Sequence, residues 1–318
     1  MPSAVWAGPE FVALLCFELS PGLPVSSGTE MATGWQNRLR TLLVLGRVSN
    51  LPTVWSNCLA AWLLGGGGAT KDFLFIQLGA SLLYLGGMFL NDAFDAEFDR
   101  QHRPERPIPS GLIAVSSVWR WGLMLMGFGL VCCAVPGNDA LLVALLLSAA
   151  ILVYDAVHKI VAFSPVLVAL CRFLLMMMAA TPTFTGPVGW VIWSGVVLAC
   201  YVAGLGFLAR LETRAARPHF WPALLLITPL ILSSVINRGP WMLRGIPLAA
   251  VLSGWVLFCL RHAYWAAQLN IGRCVGGLLA GIVLVDWLAV GAGSLGMNLA
   301  FAGLFASTLL LQRFVPAT

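Results

Sequence analysis

Charge is what this sequence has least of. Aspartate, glutamate, lysine and arginine make up 10% of 318 residues, against 59% hydrophobic. A soluble domain of that length needs far more polar surface, so the scarcity excludes one. Short segments of alternating polarity are also missing, which excludes a transmembrane β-barrel. No CxxC spacing occurs among the eight cysteines. Cys16, Cys58, Cys132, Cys133, Cys171, Cys200, Cys259 and Cys274 sit mostly in apolar runs, as small packing residues rather than zinc ligands or disulfide partners. The first thirty residues lack a basic n-region, and acids and prolines interrupt their apolar run, which argues against a signal peptide. Residues 1–35 read as a poorly ordered extension or as translation from an upstream start, since Met31 followed by ATGWQNRLR makes an ordinary beginning. Residues 36–318 read as one domain.

What is present is a succession of apolar runs, each long enough to cross the hydrocarbon core as a helix. Their spacing predicts spans near 48–66, 72–91, 118–135, 138–156, 160–182, 188–209, 219–236, 246–266, 274–291 and 295–313. The last two could form one broken unit, so nine or ten crossings are expected in an all-α polytopic bundle. Basic residues gather at alternate ends. Arg38, Arg40, Arg47, Arg100, Arg103, Arg106, Arg120, Lys159, Arg210, Arg214, Arg217, Arg261 and Arg273 share one side, against Lys71, Arg238 and Arg244 on the other. That asymmetry predicts a cytoplasmic N-terminus and cytoplasmic charged loops.

The scarce charge is concentrated in NDAFDAEFDRQHRPERPIPSG, Asn91 to Gly111, which holds five of the thirteen acidic residues. If the helix continues through its charged end, Asn91, Asp95 and Asp99 drift by only about 40° per step, with Asp92 in the same arc and Glu97 opposite. Carboxylates crowded on one face at a helix C-terminus repel one another and the helix dipole, so a cation should sit among them. Oxygen-only ligands suit Mg²⁺. A solvated loop whose acids pair with Arg100 and Arg103 is the plainer alternative. The run that follows, RPERPIPSG, holds Arg103 and Arg106 on a backbone stiffened by Pro104, Pro107 and Pro109. Guanidinium forks beside a metal cluster match the needs of a diphosphate.

These two motifs, N-D-x-x-D-x-x-x-D and R-P-x-R-P-I-P-S-G, resemble those of the UbiA superfamily of intramembrane prenyltransferases. The stretches LGRVSNLPTVWSN, YDAVHK, LVALCRFLLMM and LARLE look most like its EboC-like branch, and the resemblance runs from about Arg47 to the C-terminus. It implies a helical bundle around a central cavity open to lipid, binding Mg²⁺ and a polyprenyl diphosphate. Asn91, Asp95 and Asp99 match the metal-binding positions, with Asp92 adjoining, and Asp95, Asp99 and Lys159 are the residues expected to serve catalysis. Tyr154 and Lys159 resemble the family's Tyr…Lys motif, in which the lysine contacts diphosphate. The family's second acidic motif, DxxxD, is absent: its region reads YVAGLGFLARLETRAARPHF, with Glu212 as the sole carboxylate between Arg210 and Arg214.

Other polar residues lie inside apolar runs. Arg172 cannot face lipid and should pair with an Asp of the first cluster or with bound phosphate. Asp286 raises the same issue without an evident partner. Asn50, Thr53 and Asn57 fall at helical spacing, to line the polar end of a cavity or to bond neighbouring helices. The methionines of LMLM and MMM, with Phe173, Phe184 and Trp190, serve either as tunnel lining or as packing.

The reading that follows is a Mg²⁺-dependent prenyltransferase of the cytoplasmic membrane, moving a prenyl group from its diphosphate to an aromatic or lipophilic acceptor. Diphosphate contacts are expected from Arg103, Arg106, Tyr154, Lys159, Arg172, Arg210 and Arg214, with Glu212 a remnant of the second motif. No nucleic-acid partner is expected. A non-catalytic binder or transporter of a hydrophobic metabolite on the same fold is the alternative.

Overall fold

Apolar chain in lipid must satisfy every backbone group within its own segment, and the sequence answers with helices. The computed structural model describes residues 38–210, 220–236, 242–266, 268–291 and 293–316, and no strand occurs among them. Arg40–Thr318 form one compact unit. The extension 1–35, Glu212 and Arg214 lie outside the described residues. Residues 38–45 are helical. A 3₁₀ turn, Val48–Asn50, then leads into α1 (Leu51–Leu64), α2 (Thr70–Phe94), α3 (Ala96–His102), α4 (Val115–Ala134), α5 (Asn138–Val157) and α6 (Ser164–Ala180). There follow α7 (Gly189–Ala209), α8 (Trp221–Leu225), α9 (Thr228–Ile236), α10 (Met242–Tyr264), α11 (Ile271–Val290) and α12 (Leu295–Leu311).

Among the described residues, α2, α4, α5, α7, α11 and the Gly245–Tyr264 part of α10 are long and apolar enough to cross a membrane; α6, α12 and the Trp221–Val235 stretch are shorter apolar helices. The expected single span 219–236 is instead divided between α8 and α9. Pro229 has no N–H to offer the Leu225 carbonyl four residues back, and the Thr228 hydroxyl takes that oxygen at 2.7 Å. The last two spans are separate helices, parted at Gly291, whose φ of 78° stops α11.

Small residues decide how closely the helices approach. The most extensive pairing is α2 with α4. Glycines seven residues apart on each helix meet there: a Cβ on Gly79 would stand 2.5 Å from Cys133 Sγ, and one on Gly86 would stand 2.9 Å from the Gly122 carbonyl. Without side chains at these crossings the backbones pack directly. That contact holds α4 against α2, the helix whose charged end leads into α3. Helix α11 packs on α1, α7, α10 and α12, while α1 packs on α6. Polar residues of α1, α6 and α11 are thereby brought together in the interior.

Candidate active site at the charged mouth

Helix α2 ends at Phe94, and Asp95 turns the chain into α3. Three bonds keep α-helical spacing across the turn, Asp95 N to Asn91 O at 3.0 Å, Asp99 N to Asp95 O at 2.9 Å and Arg103 N to Asp99 O at 2.7 Å. The face expected of a continuous helix therefore survives. Asn91, Asp92, Asp95 and Asp99 are all buried, Asp99 to 3% exposure, whereas Glu97 faces outward and pairs with Arg100 at 2.8 Å. Arg100 is thus not the partner of the buried acids.

Those partners come from elsewhere. The loop after α3 folds back on itself through Ser110 N to Arg106 O at 3.0 Å and Leu112 N to Pro107 O at 3.1 Å. Gly111 closes it at φ 79°, a conformation that favours glycine. Ile108 anchors it in a small apolar cluster with Leu45, Phe89, Ala93, Ala96 and Val118. So held, Arg106 reaches Asp99 at 2.8 Å and Asp92 at 3.4 Å. Arg47 meets the same Asp92 oxygen at 3.4 Å. It stands just before the 3₁₀ turn at φ 41°, and its carbonyl accepts from the Tyr84 hydroxyl at 3.2 Å. Arg103 makes no ion pair among the described residues.

The end of α5 supplies the fourth wall. Lys159 Nζ lies 2.8 Å from Asp95 and 3.6 Å from the centre of the Phe98 ring. His158 Nε2 stands 3.4 Å from the same Asp95 oxygen, and Tyr154 stacks on the His158 ring. Burial alone would raise the pKa of Asp95, but hydrogen bonds from His158 and Lys159 outweigh it and hold the carboxyl below its ordinary value. The Asn91 amide donates to Asp155 at 3.0 Å, and the other Asp155 oxygen is buried without a hydrogen-bond partner among the described residues.

This arrangement gathers Asn91, Asp92, Asp95, Asp99, Arg106 and Lys159 as the sequence suggested. It adds Arg47, Asp155 and His158, which that reasoning did not single out as site residues. A lone carboxylate near the end of an apolar span was the available signal for Asp155. Arg172 does not pair with the acidic cluster; it donates to Asn57 at 2.7 Å and Thr53 at 2.9 Å, deeper in the bundle. Asp286 finds partners there in Ser56 and Asn57. Arg210 is directed at the segment after Lys159, donating to the Val161 and Ala162 carbonyls at 2.6 and 2.9 Å and to the Ser164 hydroxyl at 2.9 Å. Met176, Met177 and Met178 are core residues, and Phe184 is 81% exposed.

A hard divalent ion matches this donor set in kind: three carboxylates and an amide, all oxygen ligands, beside a buried carboxylate oxygen that lacks a partner. In this structure each acid instead holds a basic side chain, and among the described residues no three acidic, histidine or cysteine side chains converge as a ready metal site.

Comparison with known proteins gives this geometry a context. The digeranylgeranylglyceryl phosphate synthase of Metallosphaera sedula is 37% identical over 83 residues, 26% of this chain and 29% of the relative. That of Methanothrix thermoacetophila is 30% identical over 118 residues, 36% of this chain and 44% of the relative. The chain thus spans less than half the length of these relatives. A solved structure from work on digeranylgeranylglyceryl phosphate synthase in membranes superposes with a TM-score of 0.54 at 15% identity, over 86% of this chain and 99% of that one, a likeness of fold. The UbiA prenyltransferase family model matches residues 49–315. Because that match runs from before α1 to beyond α12, and not merely over the acidic motif, the chain belongs to the UbiA prenyltransferase family.

Proposed function

We propose that this protein transfers a prenyl group from a prenyl diphosphate to a lipophilic acceptor within the membrane, releasing pyrophosphate. The observation that carries the reading is the Asp99–Arg106 contact at 2.8 Å, by which the two charged motifs close on one another at the end of a membrane helix. Asn91, Asp92, Asp95 and Asp99 would hold Mg²⁺, which supplies charge neutralisation for a departing diphosphate. Arg106 and Lys159 are the cations placed to take phosphate oxygens, with Arg47 and Arg103 beside them. Fixed donors of this kind favour ionisation of the allylic C–O bond by stabilising the charge that gathers on the leaving group. The surrounding apolar helices would keep water from the allylic cation until the acceptor attacks. The relatives are named for a lipid phosphate, which supports a lipophilic acceptor without identifying it. The charged end of the bundle, with Arg47, Arg106 and Lys159, is assigned to the cytoplasmic side on the arginine and lysine bias of the loops.

Purified protein incubated with labelled prenyl diphosphates, Mg²⁺ and a membrane extract should release pyrophosphate. Absence of release across several chain lengths, with a hydrophobic metabolite still bound, would instead favour a binder or transporter. The intramembrane Arg172–Asn57–Asp286 network is the feature that lends weight to that second reading.

A further inference from the structure

Arg172 lies midway along α6, and Asp286 lies in α11 at 1% exposure. An arginine or an aspartate alone at membrane depth is costly, and each needs a partner. The two do not touch directly; one residue of α1 joins them. Arg172 Nη1 donates to Asn57 Oδ1 at 2.7 Å, and Asn57 Nδ2 donates to Asp286 Oδ2 at 2.7 Å. The orientation of that amide is forced by Arg172, because a guanidinium only donates, and a flipped Asn57 would turn its NH₂ to the guanidinium and lose that bond. Ser56 donates to the same Asp286 oxygen at 2.5 Å, and Thr53 takes a second Arg172 donor at 2.9 Å. The Thr53 hydroxyl is itself directed by the Asn50 carbonyl at 2.7 Å.

The guanidinium therefore spends two of its five N–H donors on the protein, both on one turn of α1. It remains only partly buried, and among the described residues its other three donors have no hydrogen-bond partner. An arginine held this firmly while keeping donors in reserve suits recognition of an anionic oxygen. We propose that Asp286 is a positioning residue for Arg172, acting through Asn57 to aim the guanidinium's remaining donors at a phosphate oxygen of the substrate. This inference rests on the diphosphate-binding reading above and assigns a task to a membrane-buried carboxylate that the charged mouth does not use. Three helices contribute to it, and none of these side chains belongs to the acidic motif.

The test is made on the full-length protein in detergent, with inorganic pyrophosphate and Mg²⁺ as the binding probe and prenyl diphosphate turnover as a second readout. Asp286→Asn should weaken pyrophosphate binding about tenfold and raise KM by a similar factor, while kcat falls less than twofold. Arg172→Ala should lose at least as much, and the double variant no more than Arg172→Ala alone, because the two act in series. Asn57→Leu, which leaves the Ser56 bond to Asp286 intact, should reproduce the Asp286→Asn effect and serves as the decisive variant should Asp286→Asn fail to fold. Additive losses, or a lowered unfolding temperature with unchanged binding, would overturn the proposal and leave the network as helix packing. Wild-type protein that binds no pyrophosphate would overturn both this inference and the diphosphate reading. Wild-type binding with an indifferent Asn57→Leu variant would remove this inference alone.

Discussion

Lys159→Met removes a charge from the mouth while keeping most of the side chain's shape. The Nζ of Lys159 is 2.8 Å from Asp95 Oδ1. At an effective dielectric constant of about 20, unit charges that close attract by roughly 6 kcal/mol. Against this stand about 2 kcal/mol of lysine rotamer entropy and several more for drawing two charges partly out of water. The lysine side chain keeps 29% of its exposure, which screens the pair further, so a net coupling of about 1–2 kcal/mol is expected. A double-mutant cycle with Asp95→Asn, read by unfolding in detergent, measures it. The pH dependence has a definite sign. The folded pKa of Asp95 is held below its ordinary 3.8, so the stabilisation is fully present above that value and fades as pH falls through the lowered one. Lys159→Met should flatten that acid limb. A coupling under about 0.3 kcal/mol, or an acid limb unchanged in the variant, would refute the pairing as an energetic unit.

Asp99→Asn should abolish Mg²⁺-dependent binding of a prenyl diphosphate in calorimetry while the protein stays folded, since it neutralises both a candidate metal ligand and the partner of Arg106. A cysteine introduced at Gln101 in a cysteine-free background should react with a membrane-impermeant thiol reagent only from the cytoplasmic face; labelling from outside intact cells would overturn the assigned sidedness. Arg210→Ala should raise the KM for prenyl diphosphate several-fold and loosen protection of residues 161–164 in hydrogen exchange, because three of its bonds hold that segment just after Lys159. Titration of the diphosphate complex should return one Mg²⁺ per diphosphate; two would mean that a second metal site exists outside the NDxxDxxxD face.

Hydropathy alone located the apolar segments, because a lipid-spanning chain has few ways to satisfy its backbone. It does not show the turn between α8 and α9, where Pro229 offers no N–H to the Leu225 carbonyl and the Thr228 hydroxyl satisfies that oxygen. The acidic face was legible because its period is local: Asn91, Asp95 and Asp99 are one helical turn apart. Their partners were only half legible. Arg106 sits close in the chain, but Arg47 and Asp155 reach Asp92 and Asn91 across 45 and 64 residues of sequence. Such contacts follow from helix packing, set by small residues that carry no signal of charge: Gly87 of α2 meets Ile151 of α5, and Gly46 meets Leu85 and Phe89 of α2. Asp286 shows the same limit, since its partners on α1 are separated from it by 230 and 229 residues.

Charge bookkeeping at the mouth explains why the two ligands of the proposed reaction would have to arrive together. Asp92, Asp95 and Asp99 are matched by Arg47, Arg106 and Lys159, so the site is close to neutral as it stands. A divalent ion entering alone would be repelled by the three cations still seated on its ligands. A diphosphate entering alone would meet carboxylates that already hold those cations. Were both to enter, the carboxylates could turn to the ion and the arginines and lysine to phosphate, so that each incoming charge would meet side chains of opposite sign. A second ion would need a second set of free acids, and the described part of the second-motif region, residues 201–210, holds none. Arg210, the last of these, donates instead to the Val161 and Ala162 carbonyls and the Ser164 hydroxyl, in the segment that follows Lys159.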